Sequence, residues 1–429
     1  MFSKNIAHKI LFFLILVCSL NLKGQTRIKT MFYNLLNYTS DTESQNRTPH
    51  LKTILDAVSP DIFLVCELKN LSGSDYLFNN AILPHNNHFT KATFVNAQSG
   101  GDLQQMVYYN SNKLILENSN IIPTGTRDIN HYTFKINTVN AATNPIKVEV
   151  FVTHLKASRG SANRQKRLES VEEFIRELER IPANSYVLFA GDFNFYTSNE
   201  PGFLKIIDTN NDIIITDPIN RLCPNFPNNG NDYYDADYDS TYFWNNQSFK
   251  DIHTQSTRTN AGSDGAGGGM DDRFDFIMMS KNFTTSSDLF YINDSYKSIG
   301  NNGNCYNSYV SNSNCSGVFS QNLRTAIYNF SDHLPVVMEI ETPENTLSTN
   351  NILNPISFIS KNVILENIKI QINSSITINT IKVYNQLGQK VKEIATTNKK
   401  RIDINISGFT QGVYYLRADS FKPIKFIKI

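Results

Sequence analysis

Short apolar runs bounded by polar residues recur from Arg27 to Ile340, and this pattern constrains the fold more than any other feature. β-Branched and aromatic residues dominate these runs, which is typical of strands. The clearest helix is predicted over Arg164–Glu179, where apolar side chains form one stripe before Pro182. Strands interleaved with helices predict an α/β protein. The strand candidates are Arg27–Tyr33, Asp61–Cys66, Met106–Tyr109, Lys147–Val152, Tyr186–Ala190, Ser240–Phe243, Phe274–Met278 and Val336–Ile340.

Two polar segments, residues 225–239 and 260–269, interrupt this pattern and are predicted to be surface loops. The first contains Asp235, Asp237 and Asp239, which offer the oxygen ligands that Ca²⁺ takes. It lacks the Gly and the terminal Glu of an EF-hand loop. We therefore favour a solvated acidic loop over a Ca²⁺ site.

The two ends of the chain differ from its middle. Residues 1–24 combine a basic start, an apolar run and a polar exit, which is typical of a cleaved export signal. That run is shorter than the roughly 20 residues that cross a bilayer, and no later run is long enough, so no stable membrane insertion is expected. Residues 342–352 are predicted to be a linker. Residues 353–429 contain further strand-like runs and predict a small C-terminal β-sandwich.

Four cysteines remain after the predicted signal, and export permits disulfide formation. Cys305 and Cys315 flank an Asn/Ser-rich loop and form the most suitable pair. Cys66 lies in an apolar run and is predicted to be a buried free thiol.

Charge is distributed unevenly between the middle of the chain and its tail. Of the 40 basic and 39 acidic residues, residues 25–345 hold 25 and 35, whereas residues 346–429 hold 12 and 4. An acidic middle argues against tight binding of polyanions through net charge alone. Contact with nucleic acid therefore requires a local basic patch or bound cations.

Polar motifs that follow or end the predicted strands carry the chemistry. Glu67 comes directly after five apolar residues, and Asp275 lies inside an apolar strand, where a carboxylate needs a partner such as a histidine. Carboxylates and imidazoles are the groups that metal-assisted hydrolysis of a phosphodiester requires. The six motifs are residues 33–37, 66–68, 152–156, 190–194, 273–277 and 331–335.

In this order and spacing, the motifs resemble those of the endonuclease/exonuclease/phosphatase family, which includes DNase I-like nucleases, abasic-site endonucleases, sphingomyelinases and inositol-polyphosphate phosphatases. The resemblance covers residues 27–340. It implies a catalytic domain over residues 25–341, folded as a four-layered α/β/β/α sandwich with the site at the strand ends. It also implies that Asn34, Glu67 and Asp332 surround a Mg²⁺ or Mn²⁺ ion.

The resemblance further implies a role for each remaining polar residue. His333 would act on the nucleophilic water, while Asp192 and Asn194 orient that water and the phosphate. His154 would face the phosphoryl oxygens, with Asp275 fixing its ring. The resemblance leaves open a second ion near Asp192 and Asn194.

A basic cluster follows His154 and leads into the predicted helix. Its members are candidates for gripping flanking phosphates, helped by the helix N-terminus. A solvated polar helix start is the alternative. The cluster consists of Lys156, Arg159, Arg164, Lys166 and Arg167, of which the first three are the candidate substrate-binding residues.

The tail resembles the C-terminal sorting domain of the type IX secretion system of the Bacteroidetes. Asn354-Pro355, Ile381–Val391 and Gly412–Leu416 carry this resemblance. It implies interaction with the secretion machinery, passage across the outer membrane, and a secreted or cell-surface protein. An adhesion or carbohydrate-binding module is the alternative.

Three functions are compatible with these residues. The basic cluster and the open polar loops favour a secreted endonuclease that cleaves extracellular DNA or RNA. A phospholipid or small-molecule phosphoesterase would use the same site, but no exposed apolar membrane-docking loop is evident in the sequence. A catalytically silent binding module would have no physical need for both imidazoles.

Overall fold

The computed structural model describes residues 25–226, 240–261, 264–347, 356–358, 362–372, 378–396, 401–418 and 423–429. The predicted export signal, the acidic triplet at 235–239 and part of the predicted linker lie outside these residues. The chain divides into two compact units, of which the first ends at Leu347 and the second begins at residue 348.

The first unit contains two mixed sheets. The seven-stranded sheet has the order β11-β13-β1-β2-β4-β3, with β12 also paired to β13. Strands β1 and β2 run parallel, whereas β13 and β4 run antiparallel to them. Its strands are β1 (Thr26–Tyr38), β2 (Ile62–Leu68), β3 (Phe89–Lys91), β4 (Gln104–Asn110), β11 (Phe290–Tyr291), β12 (Lys297–Ser298) and β13 (Val336–Thr342).

The six-stranded sheet of the first unit has the order β5-β6-β7-β8-β10-β9. Strands β7 and β8 are parallel, and β10 runs antiparallel to β8. The strands are β5 (Leu114–Ile122), β6 (Ile129–Ile136), β7 (Lys147–His154), β8 (Tyr186–Asp192), β9 (Ile215–Thr216) and β10 (Asp275–Ser280).

Helices cover the outer faces of the two sheets. Helices α1 and α7 pack on the seven-stranded sheet, and α4 and α5 pack on the other. Short 3₁₀ turns span Ser240–Tyr242, Gln247–Phe249 and Ser313–Cys315, and a π turn spans Phe78–Ile82. The helices are α1 (Thr42–Val58), α2 (Leu71–Leu77), α3 (Leu83–His85), α4 (Ser161–Leu178), α5 (Pro201–Ile206), α6 (Asn282–Thr285) and α7 (Gln321–Phe330).

Alternation along the strands builds the core between the sheets. In β1, Met31 and Tyr33 face the helices, whereas Ile28 and Phe32 face the second sheet. Val150 of β7 and Ile277 of β10 meet them from the other side. Successive strand residues point to opposite faces, so each sheet is apolar on both sides. The predicted four-layered α/β/β/α sandwich is therefore confirmed.

Most predicted elements of the first unit are present, and one is wrong. The helix predicted over Arg164–Glu179 spans Ser161–Leu178. Ser240–Phe243, predicted as a strand, instead forms a 3₁₀ turn, because the Phe243 N–H bonds back to the Ser240 carbonyl at 3.0 Å.

The predictions for the cysteines are confirmed. Cys305 and Cys315 form a disulfide. Cys66 is a buried free thiol, as is Cys223.

The second unit is built of strands alone within the residues described. A three-stranded sheet, β14-β16-β19, and a five-stranded sheet, β15-β21-β20-β17-β18, share one apolar core, as the predicted β-sandwich requires. No helix in the described parts of either unit is long and apolar enough to cross a membrane. The strands are β14 (Ile356–Phe358), β15 (Val363–Ile364), β16 (Asn367–Ile372), β17 (Thr380–Asn385), β18 (Lys390–Ala395), β19 (Arg401–Asn405), β20 (Gly412–Ala418) and β21 (Ile424–Lys428).

Candidate active site

The two parallel strand pairs deliver polar side chains to one edge of the sandwich. In the first sheet, Asn34 of β1 lies opposite Cys66 of β2, next to Glu67. In the second sheet, Asp192 of β8 lies between His154 of β7 and Asp275 of β10. The carboxyl ends of parallel strands meet at the same edge of a sheet, which explains why residues so distant in sequence converge.

Left-handed backbone conformations mark this edge. Glu67 and Asn194 have φ of 56° and 52°, and Leu36 and Asn37 have φ of 52° and 50°. Such conformations cost of order 1–3 kcal/mol for residues other than glycine and persist only where the surroundings impose them. Here Glu67 Oε2 accepts from the Asn37 backbone N–H at 2.9 Å, which ties two of these residues together.

Three groups form the centre of the site. Nε2 of His154 lies 3.5 Å from Oδ2 of Asp192 and 3.9 Å from Oε1 of Glu67. One ligand atom from each residue lies within 4.8 Å of the others, which is a separation that one metal ion can bridge. The side chains of His154 and Asp192 are each only 3% exposed.

Asn34 joins two of these carboxylates. Its Nδ2 donates to Glu67 Oε1 at 3.0 Å and to Asp192 Oδ2 at 3.1 Å. Its Oδ1 accepts from the Leu36 backbone N–H at 2.9 Å. Asn34 therefore bridges the two carboxylates as a donor, and its place beside a metal ion stays a prediction.

Asp275 pairs with His333 rather than with His154. Nδ1 of His333 lies 2.7 Å from Oδ2 of Asp275, and both side chains are buried. The predicted need of Asp275 for a histidine partner is met, but the prediction that it fixes His154 is wrong. His333, three residues before β13, reaches Asp275 of β10 because the two strands belong to facing sheets.

Burial and mutual repulsion set the protonation preferences of the site. Burial raises the pKa of Glu67 and raises that of Asp192 to about 7. Burial lowers the pKa of His154 well below its usual value, so this ring is neutral. Burial alone would also lower the pKa of His333, but the carboxylates of Asp275, Asp332 and Asp192 outweigh it and raise this pKa well above its usual value.

Asp332 is held by one of its oxygens and leaves the other without a partner. Its Oδ2 accepts from the Ala266 backbone N–H at 2.7 Å and from Gln255 Nε2 at 3.2 Å. Its Oδ1 is buried and has no hydrogen-bond partner among the described residues. Because Asp332 also raises the pKa of Glu67, the two carboxylates lie within electrostatic range. An unsatisfied buried carboxylate oxygen beside a second carboxylate fits a divalent cation.

The glycine-rich loop predicted to lie on the surface contacts this carboxylate. Gly265 has φ of 85°, and a Cβ there would lie 2.9 Å from Asp332 Oδ2. The nearby Asp264 carboxylate accepts from Asn37 Nδ2 at 2.8 Å. The described part of residues 260–269 therefore lines the site and also lies at the surface.

The predicted basic cluster separates into different environments. Arg167 is fully buried and pairs with Glu200 at 2.8 Å, so it cannot contact a substrate, and its assignment to the cluster is corrected. Arg159 is exposed, with its guanidinium 4.8 Å from the centre of the Tyr196 ring and 5.5 Å from that of Phe243. Lys156 Nζ donates to the Ala157 carbonyl, and Arg164 lies in the first turn of α4.

Asn194 turns the backbone away from Asp192. Its N–H donates to Asp192 Oδ1 at 3.2 Å, and its Nδ2 lies 3.3 Å from the Leu155 carbonyl oxygen. The structure therefore brings Asn34, Glu67, His154, Asp192, Asn194, Asp275, Asp332 and His333 to one edge of the sandwich.

Sequence reasoning missed Gln255. Its Nε2 lies 2.6 Å from Nε2 of His333. It stands in the polar run Thr254–Thr257, which ends no predicted strand, so no pattern in the sequence marks it. Only its pairing with residues distant in the chain places it in the site.

Two stacked mixed sheets, covered by helices and carrying a polar cluster at one edge, define the DNase I-like class of α/β sandwich. Residues 364–428 match the family described as the secretion system C-terminal sorting domain, which confirms the predicted resemblance of the tail. That domain indicates export by the type IX route. No curated protein matches the chain in sequence.

Solved structures similar to this chain include endonuclease/exonuclease/phosphatase proteins. TDP2 of Danio rerio, complexed with a single-strand DNA product, is 14% identical over 73% of this chain and 99% of its own, with a TM-score of 0.46. A mannosyl-6-phosphatase of Bacteroides thetaiotaomicron is 14% identical over 73% and 99%, with a TM-score of 0.42. An endonuclease/exonuclease/phosphatase family protein of the same organism is 13% identical over 74% and 96%, with a TM-score of 0.43.

Proposed function

We propose that this protein is an exported, divalent-metal-dependent phosphodiesterase and that it acts as an endonuclease on extracellular DNA or RNA. One observation carries the proposal. A histidine–carboxylate pair, His333 with Asp275, lies beside a cluster of carboxylates, one of which, Asp332, has an unsatisfied buried oxygen. Hydrolysis of a phosphodiester needs both a base for water and a means of neutralising phosphate charge.

In this proposal, Glu67 and Asp332 hold Mg²⁺ or Mn²⁺, which suit carboxylate oxygens. If a second ion binds near Asp192, then Glu67, His154 and Asp192 would hold it, and His154 would be its ligand instead of a donor to the phosphate. When bound, a divalent cation polarises the phosphoryl oxygens and stabilises the negative charge that develops on them.

The protein side chains perform the remaining steps. Asp275 accepts the Nδ1 proton of His333 in a hydrogen bond. A bound cation would offset the carboxylates that raise the pKa of His333, so that its ring could be neutral and Nε2 could take a proton from water. Asp192 lies 3.7 Å from that nitrogen, where it can orient the same water. Asn194 keeps Asp192 in place through its backbone N–H. The neutral ring of His154 can donate to a phosphoryl oxygen without adding charge.

The proposed function gives each predicted part of the chain a role. Residues 25–341 would be the catalytic domain, residues 342–352 a linker and residues 353–429 the sorting domain that engages the secretion machinery. Removal of residues 1–24 as an export signal would precede passage across the outer membrane to the cell surface or medium.

A substrate panel tests the proposal. The purified protein should cleave plasmid DNA or RNA and bis-p-nitrophenyl phosphate with Mg²⁺ or Mn²⁺, and should lose this activity in EDTA. Preferential hydrolysis of sphingomyelin or of sugar phosphates would instead favour the phospholipid or small-molecule alternative. Absence of turnover on every phosphoester would favour a binding module.

Replacing Arg159 by Ala is expected to raise the KM for a polynucleotide about tenfold, because a hydrogen bond to a charged group contributes roughly 1.5 kcal/mol or more. Stacking on Tyr196 and Phe243 holds this guanidinium in place, and the described residues offer it no ion-pair partner. The KM for bis-p-nitrophenyl phosphate, which has no flanking phosphate, should not change. Steady-state kinetics on both substrates would measure the difference.

Arg180→Ala provides the matched control for this prediction, because Arg180 is 70% exposed, just beyond α4. An equal loss on both substrates in Arg159→Ala would contradict a role in gripping flanking phosphates.

A further inference from the structure

Gln255 contacts two groups on which the proposed chemistry depends. Its Nε2 lies 2.6 Å from Nε2 of His333 and 3.2 Å from Oδ2 of Asp332. Both separations lie within hydrogen-bond range, and the side chain is only half-buried. Gln255 is therefore a polar group at the open side of the site, touching the base and a carboxylate together.

The backbone of Gln255 is fixed from both sides. Its N–H donates to the Asp272 carbonyl at 3.0 Å, and its carbonyl accepts from the backbone N–H groups of Asp271 and Asp272. It also forms isolated bridges with Asp272 and His333. The Cα position is thus set by the fold, and rotation of the side chain is the motion left to the carboxamide.

The neighbours determine which end of the carboxamide faces the site. A carboxylate such as Asp332 only accepts hydrogen bonds. When a bound cation offsets the carboxylates that raise the pKa of His333, its neutral ring donates from Nδ1 to Asp275 and accepts at Nε2. Two acceptors therefore face Gln255, and only its NH₂ group satisfies both of them.

Gln255 and the attacking water compete for one nitrogen. The water must bring its proton to the lone pair of His333 Nε2, and Gln255 Nε2 lies 2.6 Å from that atom in this structure. When water takes that place, the N–H group needs a new acceptor. In an in-line attack, the phosphoryl oxygens lie beside the attacking water and so within reach of the displaced donor.

We propose that Gln255 binds the substrate by moving this hydrogen bond from His333 to a non-bridging oxygen of the phosphodiester. The inference rests on the proposed function and adds to it a residue that contacts the reacting group. A neutral donor placed there stabilises the charge that grows on the phosphoryl oxygen during attack. It does so without adding a positive charge next to His333.

Three variants test the assignment, with Mg²⁺ present throughout. Gln255→Ala removes the donor, and Gln255→Glu keeps the size but replaces the donor by an acceptor. Gln247→Ala is the matched control, because Gln247 is exposed and its side chain makes no hydrogen bond within the described residues. For each variant, kcat and KM are measured on bis-p-nitrophenyl phosphate, and binding of inorganic phosphate is measured by calorimetry.

Gln255→Ala should weaken phosphate binding about tenfold and lower kcat about 10²-fold. Gln255→Glu should lose at least as much, because its carboxylate repels phosphate, and Gln247→Ala should match the original protein. A lower kcat with unchanged phosphate affinity would mean that Gln255 only positions His333, and would overturn the proposal. So would a failure of the original protein to bind phosphate.

The same experiment separates this inference from the proposed function. If the original protein turned over no phosphoester with any metal, the proposed function would fail. The comparison of phosphate binding would still decide whether Gln255 contacts the anion.

Discussion

Glu67→Gln is expected to lower phosphodiester turnover by about 10³-fold, because the several kcal/mol that a cation supplies to the transition state would be lost with its carboxylate ligand. Glu67 Oε1 accepts from Asn34 Nδ2, and Oε2 accepts from the Asn37 N–H. An amide at this position cannot accept from both, and it carries no charge. Steady-state kinetics and calorimetric titration with Mn²⁺ should show loss of rate and of metal affinity together.

Glu169→Gln makes the same chemical change on the exposed face of α4 and serves as the control. It should leave both rate and metal affinity unchanged. Raising the Mn²⁺ concentration should recover part of the lost rate in Glu67→Gln, since weaker binding is offset by mass action. If Glu67→Gln kept the turnover rate and the metal affinity of the original protein, Glu67 would not be a metal ligand.

The alternation of apolar runs predicted an α/β protein from local rules, whereas the four-layered sandwich and the set of polar site residues came from the family resemblance. A run of apolar β-branched residues that ends in a carboxylate, as at Glu67, marks the end of a buried strand. Parallel strands place such ends at one edge, so His154 and Asp192 could be expected together.

Contacts that depend on distant pairing could not be predicted. Asp275 required a histidine, but only the stacking of the two sheets makes His333 its partner instead of His154. The orientation of Asn34 depends on the backbone N–H of Leu36, which points inward because Leu36 has a positive φ. Gln255 reaches His333 across 78 residues of sequence.

The missed elements have a similar cause. Strand β5 carries Glu117 and a run of polar residues, and most of its side chains are exposed or half-buried. It is a strand because β6 pairs with it along its length. Its sequence lacks the apolar alternation from which a strand could be predicted. Helix α1 includes Pro49 and lacks an obvious apolar stripe, yet it buries Leu51, Ile54 and Leu55 against the first sheet.

His333→Ala should lower turnover by about 10²–10⁴-fold, the usual contribution of a general base. Asp275→Asn should have an effect of the same order, although Asp275 is buried and does not touch the substrate. The carboxylate accepts from Nδ1 of His333 at 2.7 Å and so keeps the lone pair on Nε2. An asparagine that turned its NH₂ group to Nδ1 would favour the opposite tautomer, with its proton on Nε2.

The losses caused by the two changes should not add. If Asp275 acts only through His333, the double variant His333→Ala/Asp275→Asn should be no slower than His333→Ala alone, as residues that work as one unit behave. His88→Ala, a half-buried histidine before β3 and away from the site, controls for loss of an imidazole. Thermal unfolding of each variant separates lost chemistry from lost folding. Fully additive losses would mean that Asp275 has an independent role, such as holding the cation, and that its hydrogen bond to His333 is not what makes His333 a base.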